Sequence, residues 1–244
     1  MMATLATKEA GPWDTAALAL LDEWDAAWAG AAHTMSTDPW NGGVLSRKFA
    51  ELVSIAVNVA CTNLNRDGTT RHIRAALDAG ASRHEILMIF KMASVMALHS
   101  CSLAAPILLE EAASAGRTVK GDTSVSTPAC DRMKQIGQWN QAWDPFFNLD
   151  PEWTDQVMAA GTLIYGDKVF NPKEIELLSI AFDASYTHMY APGTRRHIRG
   201  ALAAGASVAE IMEVLKLCVA QGMQALNLGL PILAEELAQR VKPA

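Results

Sequence analysis

What the 244-residue chain lacks narrows it first. Its four cysteines, Cys61, Cys101, Cys130 and Cys218, contain no C-x-x-C pair and suggest no disulfide framework. A chain this long buries a core without covalent staples, so reduced thiols and a cytoplasmic home are expected. No apolar run approaches 18 uninterrupted residues, and Lys8 and Glu9 stand where a secretory apolar stretch would lie. Neither a membrane span nor a leader is therefore expected. No basic cluster exceeds Arg195-Arg196, and the formal charge is −6. Phosphate neutralisation needs a basic patch, so no nucleic acid is expected as a partner. Nucleotide loop, H-E-x-x-H helix and nucleophile elbow are all missing, which leaves no sequence support for a cofactor or a metal.

What is present is a repeat. The segment from Glu51, ELVSIAVNVACTNLNRDGTTRHIRAALDAGASRHEI, aligns without a gap on ELLSIAFDASYTHMYAPGTRRHIRGALAAGASVAEI from Glu176, at an offset of 125. Between Leu45–Ala112 and Phe170–Leu237, 28 of 68 positions are identical, far beyond chance for a fixed register. The chain is a tandem duplication, read as unit 1–115, linker 116–130 and unit 131–244. Ala113 to Thr127 is Gly/Ser/Thr-rich and poor in apolar residues, as an exposed connection would be.

Apolar residues recur at i, i+3, i+4 and i+7, with no alternating run between hairpin turns, so the fold class is all-α. Gly80 and Gly205 mark helix ends, and Ser82-x-x-Glu85 and Ser207-x-x-Glu210 match the capping box that opens the next helix. The pattern predicts four core helices per unit, at 47–61, 69–79, 83–98 and 104–115, then 172–186, 194–204, 208–223 and 229–240. An amphipathic helix precedes each set. The two units should pack about a pseudo-twofold axis. All seven tryptophans precede the core helices of their unit and read as packing anchors.

Two features could carry chemistry. Glu51, Ser54, Asn58 and Thr62 form one stripe on the first core helix, repeated as Glu176, Ser179, Asp183 and Thr187. The stripe is either the wet face of an amphipathic helix or the lining of a cleft. In a cleft, desolvation would raise a carboxyl pKa toward the range useful for proton transfer, making Glu51 and Glu176 acid–base candidates. The second feature is G-T-x-R-H-I-R, with Thr69 and Thr194 as expected N-caps and His72 and His197 in the first helical turn, where the helix dipole favours a neutral imidazole. Arg71 and Arg196 are either solvated or able to pair with a substrate carboxylate, for which guanidinium geometry is suited. Asn58, Asp183, Ser179, Arg71 and Arg196 are thus the candidate substrate-binding residues. The units differ most between stripe and histidine, where His188 and Tyr190 replace Asn63 and Asn65. If one unit is active, the second is favoured.

An acidic residue on an apolar helix, the histidine of RHIRAALDAGAS, the E-I start of a long helix and a terminal P-I-L-x-E-E together resemble the carboxymuconolactone decarboxylase family, within the alkylhydroperoxidase D-like superfamily. The resemblance covers both repeats and rests most on H-x-R-x-A-L-x-x-G-A. The superfamily's peroxidase branch uses a C-x-x-C pair seven and four residues before the histidine. Those positions are Asn65 and Gly68, then Tyr190 and Gly193, and disulfide exchange needs two thiols. Peroxidase chemistry therefore ranks third.

The resemblance implies a cofactor-independent lyase, or a related isomerase or hydrolase, acting on a small carboxylated or lactone-like compound of aromatic catabolism. Glu176, His188, Tyr190 and His197, with Glu51 and His72 in the first unit, would supply the proton chemistry. The alternative is a non-catalytic ligand-binding or scaffold protein of the same fold. The resemblance also implies a homo-oligomer, a trimer in preference to a dimer.

Overall fold

The computed structural model describes residues 11–118, 120–122 and 124–241, and among them every regular element is helical. In chain order these are α1 (Thr15–Trp24), α2 (Ala26–Asn41), α3 (Arg47–Val59), α4 (Arg66–Asp78), α5 (Arg83–Val95), α6 (His99–Ser114), α7 (Pro128–Gln135), α8 (Asp144–Leu149), α9 (Pro151–Gly166), α10 (Pro172–Ala184), α11 (Ala191–Ala203), α12 (Val208–Ala220) and α13 (Gln224–Val241). The all-α expectation holds, and α3 to α6 recur as α10 to α13 at the 125-residue offset.

Boundaries follow local chemistry. Ser82 and Ser207 accept from the Glu85 and Glu210 amides, and each glutamate accepts from its serine's amide, closing the capping boxes. The same glutamates take salt bridges from Lys48 (2.8 Å) and Lys173 (2.7 Å), tying the start of the third core helix to the first in both repeats. Gly80 and Gly205 adopt φ of +86° and +87° at the preceding helix ends, where left-handed backbone suits glycine.

Three expectations need correction. The second core helix of each repeat begins three residues earlier than predicted, because Asn65, not Thr69, is the N-cap, its Oδ1 accepting from Gly68 N. Tyr190 takes the N-cap position in the second repeat without a side-chain cap, so Thr194 is no cap either. His72 and His197 therefore sit in the second turn, beyond the strongest reach of the helix N-terminus. The third and fourth helices are joined by 3-10 turns, Met96–Leu98 and Gln221–Met223, with no loop between them. Finally, α7 begins at Pro128, inside the predicted linker.

The chain forms two compact units that cut across the sequence repeats: Met1–Ile89 with Phe170–Ala244, and Phe90–Val169. In the first, α3 packs on α4 and α10 on α11, and α3 also meets α10 and α12. Leu52, Ile55, Leu177, Leu178 and Ile180 are fully buried, each worth about 1.5–3 kcal/mol in burial. Thr62 Oγ1 and Thr187 Oγ1, counterparts in the duplication, lie 3.1 Å apart. A residue touching its own counterpart marks the pseudo-twofold axis. Repeats also exchange their leading helices: α1 packs on α13 and α2 on α12. In the second unit, α7 packs on α9 and α6 on α8 around Cys130, Met133, Trp143, Phe146 and Met158.

Trp13 and Trp143 are buried as anchors, whereas Trp24, Trp28 and Trp153 are exposed. The helical runs Arg83–Ser114 and Val208–Arg240 are long and apolar enough to span a membrane by length and composition alone. The second also buries Ile211, Val214, Leu217 and Leu230, which gives its apolar character a core role.

Candidate functional site

The polar stripe is no wet face. Glu51, Ser54, Asn58 and Asp183 are each at most 2% exposed, because α3 and α10 are central helices covered on several sides. Ser54 and Ser179 spend their hydroxyls on the carbonyls of Ala50 and Ile175, one turn back, so Ser179 is committed to its own helix. Thr62 and Thr187 lie beyond the helix ends.

Each repeat brings its acidic residue to its histidine. His72 Nδ1–H donates to Glu51 Oε2 at 2.7 Å, and His197 Nδ1–H donates to Glu176 Oε2 at 2.7 Å. The surroundings then diverge. In the first repeat Glu51 Oε1 also accepts from Trp40 Nε1 and Arg47 Nε, both at 2.8 Å, and the Trp40 ring stacks on His72. Asn58 donates to Ser54 O and to Gln221 Oε1. Arg71 is half-buried, its guanidinium held by Pro12 O and Gln224, and burial pushes its pKa down despite Asp14, Asp67 and Glu51 nearby. His72 is wholly buried, and its Nε2 makes no hydrogen bond. The pair is sealed.

The second repeat replaces Asn58 with Asp183, and Asp183 Oδ2 lies 3.6 Å from His197 Nε2. Arg196 Nη1 donates to that same Nε2 at 3.3 Å. A guanidinium can only donate and a carboxylate can only accept, so Arg196 and Glu176 together suit the ring tautomer that carries its proton on Nδ1. Burial pushes the Asp183 carboxyl up to about 7, with Arg196 pulling it down and Glu176 pushing it up. At neutral pH it divides between acid and carboxylate. A carboxyl in that range, set beside an imidazole nitrogen, is chemically able to give or take a proton.

Asp183 owes its position to the following hairpin. Tyr190 N donates to Asp183 O at 2.8 Å, as Asn65 N does to Asn58 O, turning the chain back onto the helix end. The turn needs left-handed backbone at Met189 (φ 50°), matching Leu64 (φ 49°). A β-carbon at Gly193 would collide with the Asp183 carboxylate, so glycine there lets the acid lie against the start of α11. His188 and Tyr190 stand in this turn with ring centroids 5.7 Å apart, and burial lowers the His188 pKa, favouring its neutral form. The structure thus gathers Glu176, Asp183, Arg196 and His197, with His188 and Tyr190 in the adjoining turn.

An open groove of about 500 Å³ runs along α10–α11, lined by Ala184, Met189, Ala191, Thr194, Arg195 and Ile198, none of them a candidate site residue. Sequence reasoning missed Trp40, Gln221 and Gln224, which come from other helices, and Arg47, which stands one turn before Glu51 on α3. The 125-residue register offered a signal, as Arg47 faces Pro172 and Gln221 faces Met96.

Comparison with known proteins agrees with the duplicated all-α fold. The profile described as the carboxymuconolactone decarboxylase family matches residues 16–108 and 151–235. The chain belongs to that family. A crystal structure described as a "putative gamma-carboxymuconolactone decarboxylase subunit" from Burkholderia xenovorans LB400 superposes with a TM-score of 0.83, at 28% identity over 97% of this chain and 94% of that one. No curated protein matches. The two matched segments of the family coincide with the two repeats and include both Glu–His pairs.

Proposed function

We propose that the chain is a cofactor-independent lyase, acting by acid–base chemistry on a small carboxylated or lactone-like compound, with its working centre in the second repeat. The observation that carries the reading is His197 set between Glu176 and Asp183 with Arg196 on the same ring nitrogen. Arg196 would orient an acidic group of the substrate. The bond from the substrate carbon to its carboxylate breaks, the electron pair passes into the conjugated carbonyl, and CO2 leaves. A proton from the Asp183–His197 pair then closes the carbon, and solvent restores it. Glu176 holds the imidazole in the required tautomer. His188 and Tyr190 border the centre and would shape it.

The first repeat lacks the second acid, Trp40 closes on its pair and Gln221 holds Asn58, so Glu51, His72, Asn58 and Arg71 belong to the scaffold in this reading. The alternative, a non-catalytic ligand-binding or scaffold protein of the same fold, would show no turnover in wild type. The test is CO2 release and loss of substrate absorbance with carboxylated unsaturated lactones. Wild type should turn over, and Glu176→Gln and His197→Ala should lose about 10²–10⁴-fold, the usual contribution of positioned acid–base groups. Equal rates in all three would overturn the assignment.

The family's chemistry fits a cytoplasmic protein of aromatic catabolism, and four free cysteines fit a reducing compartment. Large exposed apolar side chains recur at equivalent positions, Leu77 and Leu202, Leu103 and Leu228, Ile107 and Ile232, which supports self-association. A homotrimer is favoured, and light scattering at three times the 26.2 kDa chain mass would support it, while a monomer would refute it.

A further inference from the structure

We propose that Gly200 is a positioning residue whose missing β-carbon seats the Glu176 carboxylate on α11, where it reaches His197. The proposal rests on the reading of Glu176 and His197 given above. A β-carbon at 200 would lie 2.6 Å from Glu176 Cδ, 2.7 Å from Oε2 and 2.9 Å from Oε1, so the carboxylate occupies the volume a side chain would need.

Helix chemistry argues that the glycine is there for a reason. Gly200 is the tenth of 13 residues in α11, among Ala201, Ala203 and Ala204, in an interior where alanine is the best helix former and glycine the worst after proline. The first repeat follows the local preference, with Ala75 at the equivalent position. A local rule broken in one copy only points to a demand of that copy's site.

The first repeat reaches the same 2.7 Å contact by other means. Trp40 and Arg47 draw Glu51 Oε1 to themselves while Oε2 meets His72, and the carboxylate coexists with Ala75. Arg47 corresponds to Pro172, which has no side-chain donor. In the second repeat the carboxylate instead rests on the helix backbone, and Gly200 makes the space. One copy pins its glutamate from outside, whereas the other seats it by subtraction.

Gly200→Ala tests this without a substrate. In wild type, the hydrogen-bonded Nδ1–H of His197 should give a low-field proton resonance protected from exchange, identified by its loss in His197→Gln. Gly200→Ala should abolish it and leave the His72 resonance in place. Stability supplies a second reading that survives poor folding of one variant. Gly200→Ala should destabilise the chain when Glu176 is present, and should stabilise it on a Glu176→Ala background, where only helix propensity is left. Turnover should drop about a hundredfold, with a smaller change in KM, as for a misplaced catalytic group. A His197 resonance that persists in Gly200→Ala, or an equal stability change on both backgrounds, would overturn the proposal. Loss of the resonance together with no lactone turnover in wild type would uphold the seat and refute the decarboxylase reading.

Discussion

At the scale of single residues, the two repeats differ by a handful of atoms with large electrostatic consequences. Asp183 is an acid where the first repeat has Asn58. Its folded pKa of about 7 lies above the ordinary carboxyl value of 3.8, so the native state binds this proton more tightly than the unfolded chain. The stability it confers is complete below about pH 4 and is lost as pH rises toward 7, up to about 4 kcal/mol for a shift of this size. Asp183→Asn should therefore flatten the decline between pH 4 and 8 in urea unfolding and leave the variant more stable than wild type at pH 8. Equal slopes for both proteins would contradict the buried acid. The first repeat predicts the opposite behaviour. Its Glu51–His72 pair is sealed, so Glu51→Ala should cost about 3–5 kcal/mol of stability, as for a broken buried pair, while turnover per folded molecule is retained.

At the scale of helices, most of the pattern is legible in the amino-acid sequence. The capping boxes at Ser82 and Ser207 and the glycine stops at Gly80 and Gly205 are self-contained signals, since donor, acceptor and turn lie within a few residues. Ser207→Ala should cost about 1 kcal/mol in thermal unfolding, the usual value of an N-cap, with activity unchanged. The start of α4 is harder to read because two capping residues compete there, and α11 starts after Tyr190, whose side chain caps nothing. Asn65 wins over Thr69 because the chain must first turn through Leu64 in left-handed backbone and return its amide to Asn58, a constraint set by α3 and not by the local sequence. The same holds for the site. Glu176, Asp183 and His197 could be proposed from one helix face and one motif, whereas Trp40 reaches Glu51 from α2 and Gln221 reaches Asn58 from the 3-10 turn after α12. No local pattern reports which distant helix will cover a stripe.

At the scale of the molecule, duplication has not produced two independent halves. In one compact unit α1 and α2 of the first repeat pack on α13 and α12 of the second, and in the other α8 of the second repeat packs on α6 of the first. Each repeat therefore exports its leading helices. Fragments 1–115 and 131–244 expressed separately should show weak helical dichroism and no cooperative melting, and mixing them should restore both. Autonomous folding of either fragment would contradict the exchange. This interlocking also lets one copy drift in chemistry: the first can seal its Glu–His pair into the scaffold while the second keeps an acid, a base and a cation around one imidazole. The contrast between the two repeats is measured most directly as CO2 release from a carboxylated unsaturated lactone by wild type, Glu51→Gln and Glu176→Gln under conditions where all three are folded. Activity that survives in Glu51→Gln and falls by two orders of magnitude or more in Glu176→Gln is the predicted result. Equal loss in both variants, or unchanged rates in both, would contradict a single working centre in the second repeat.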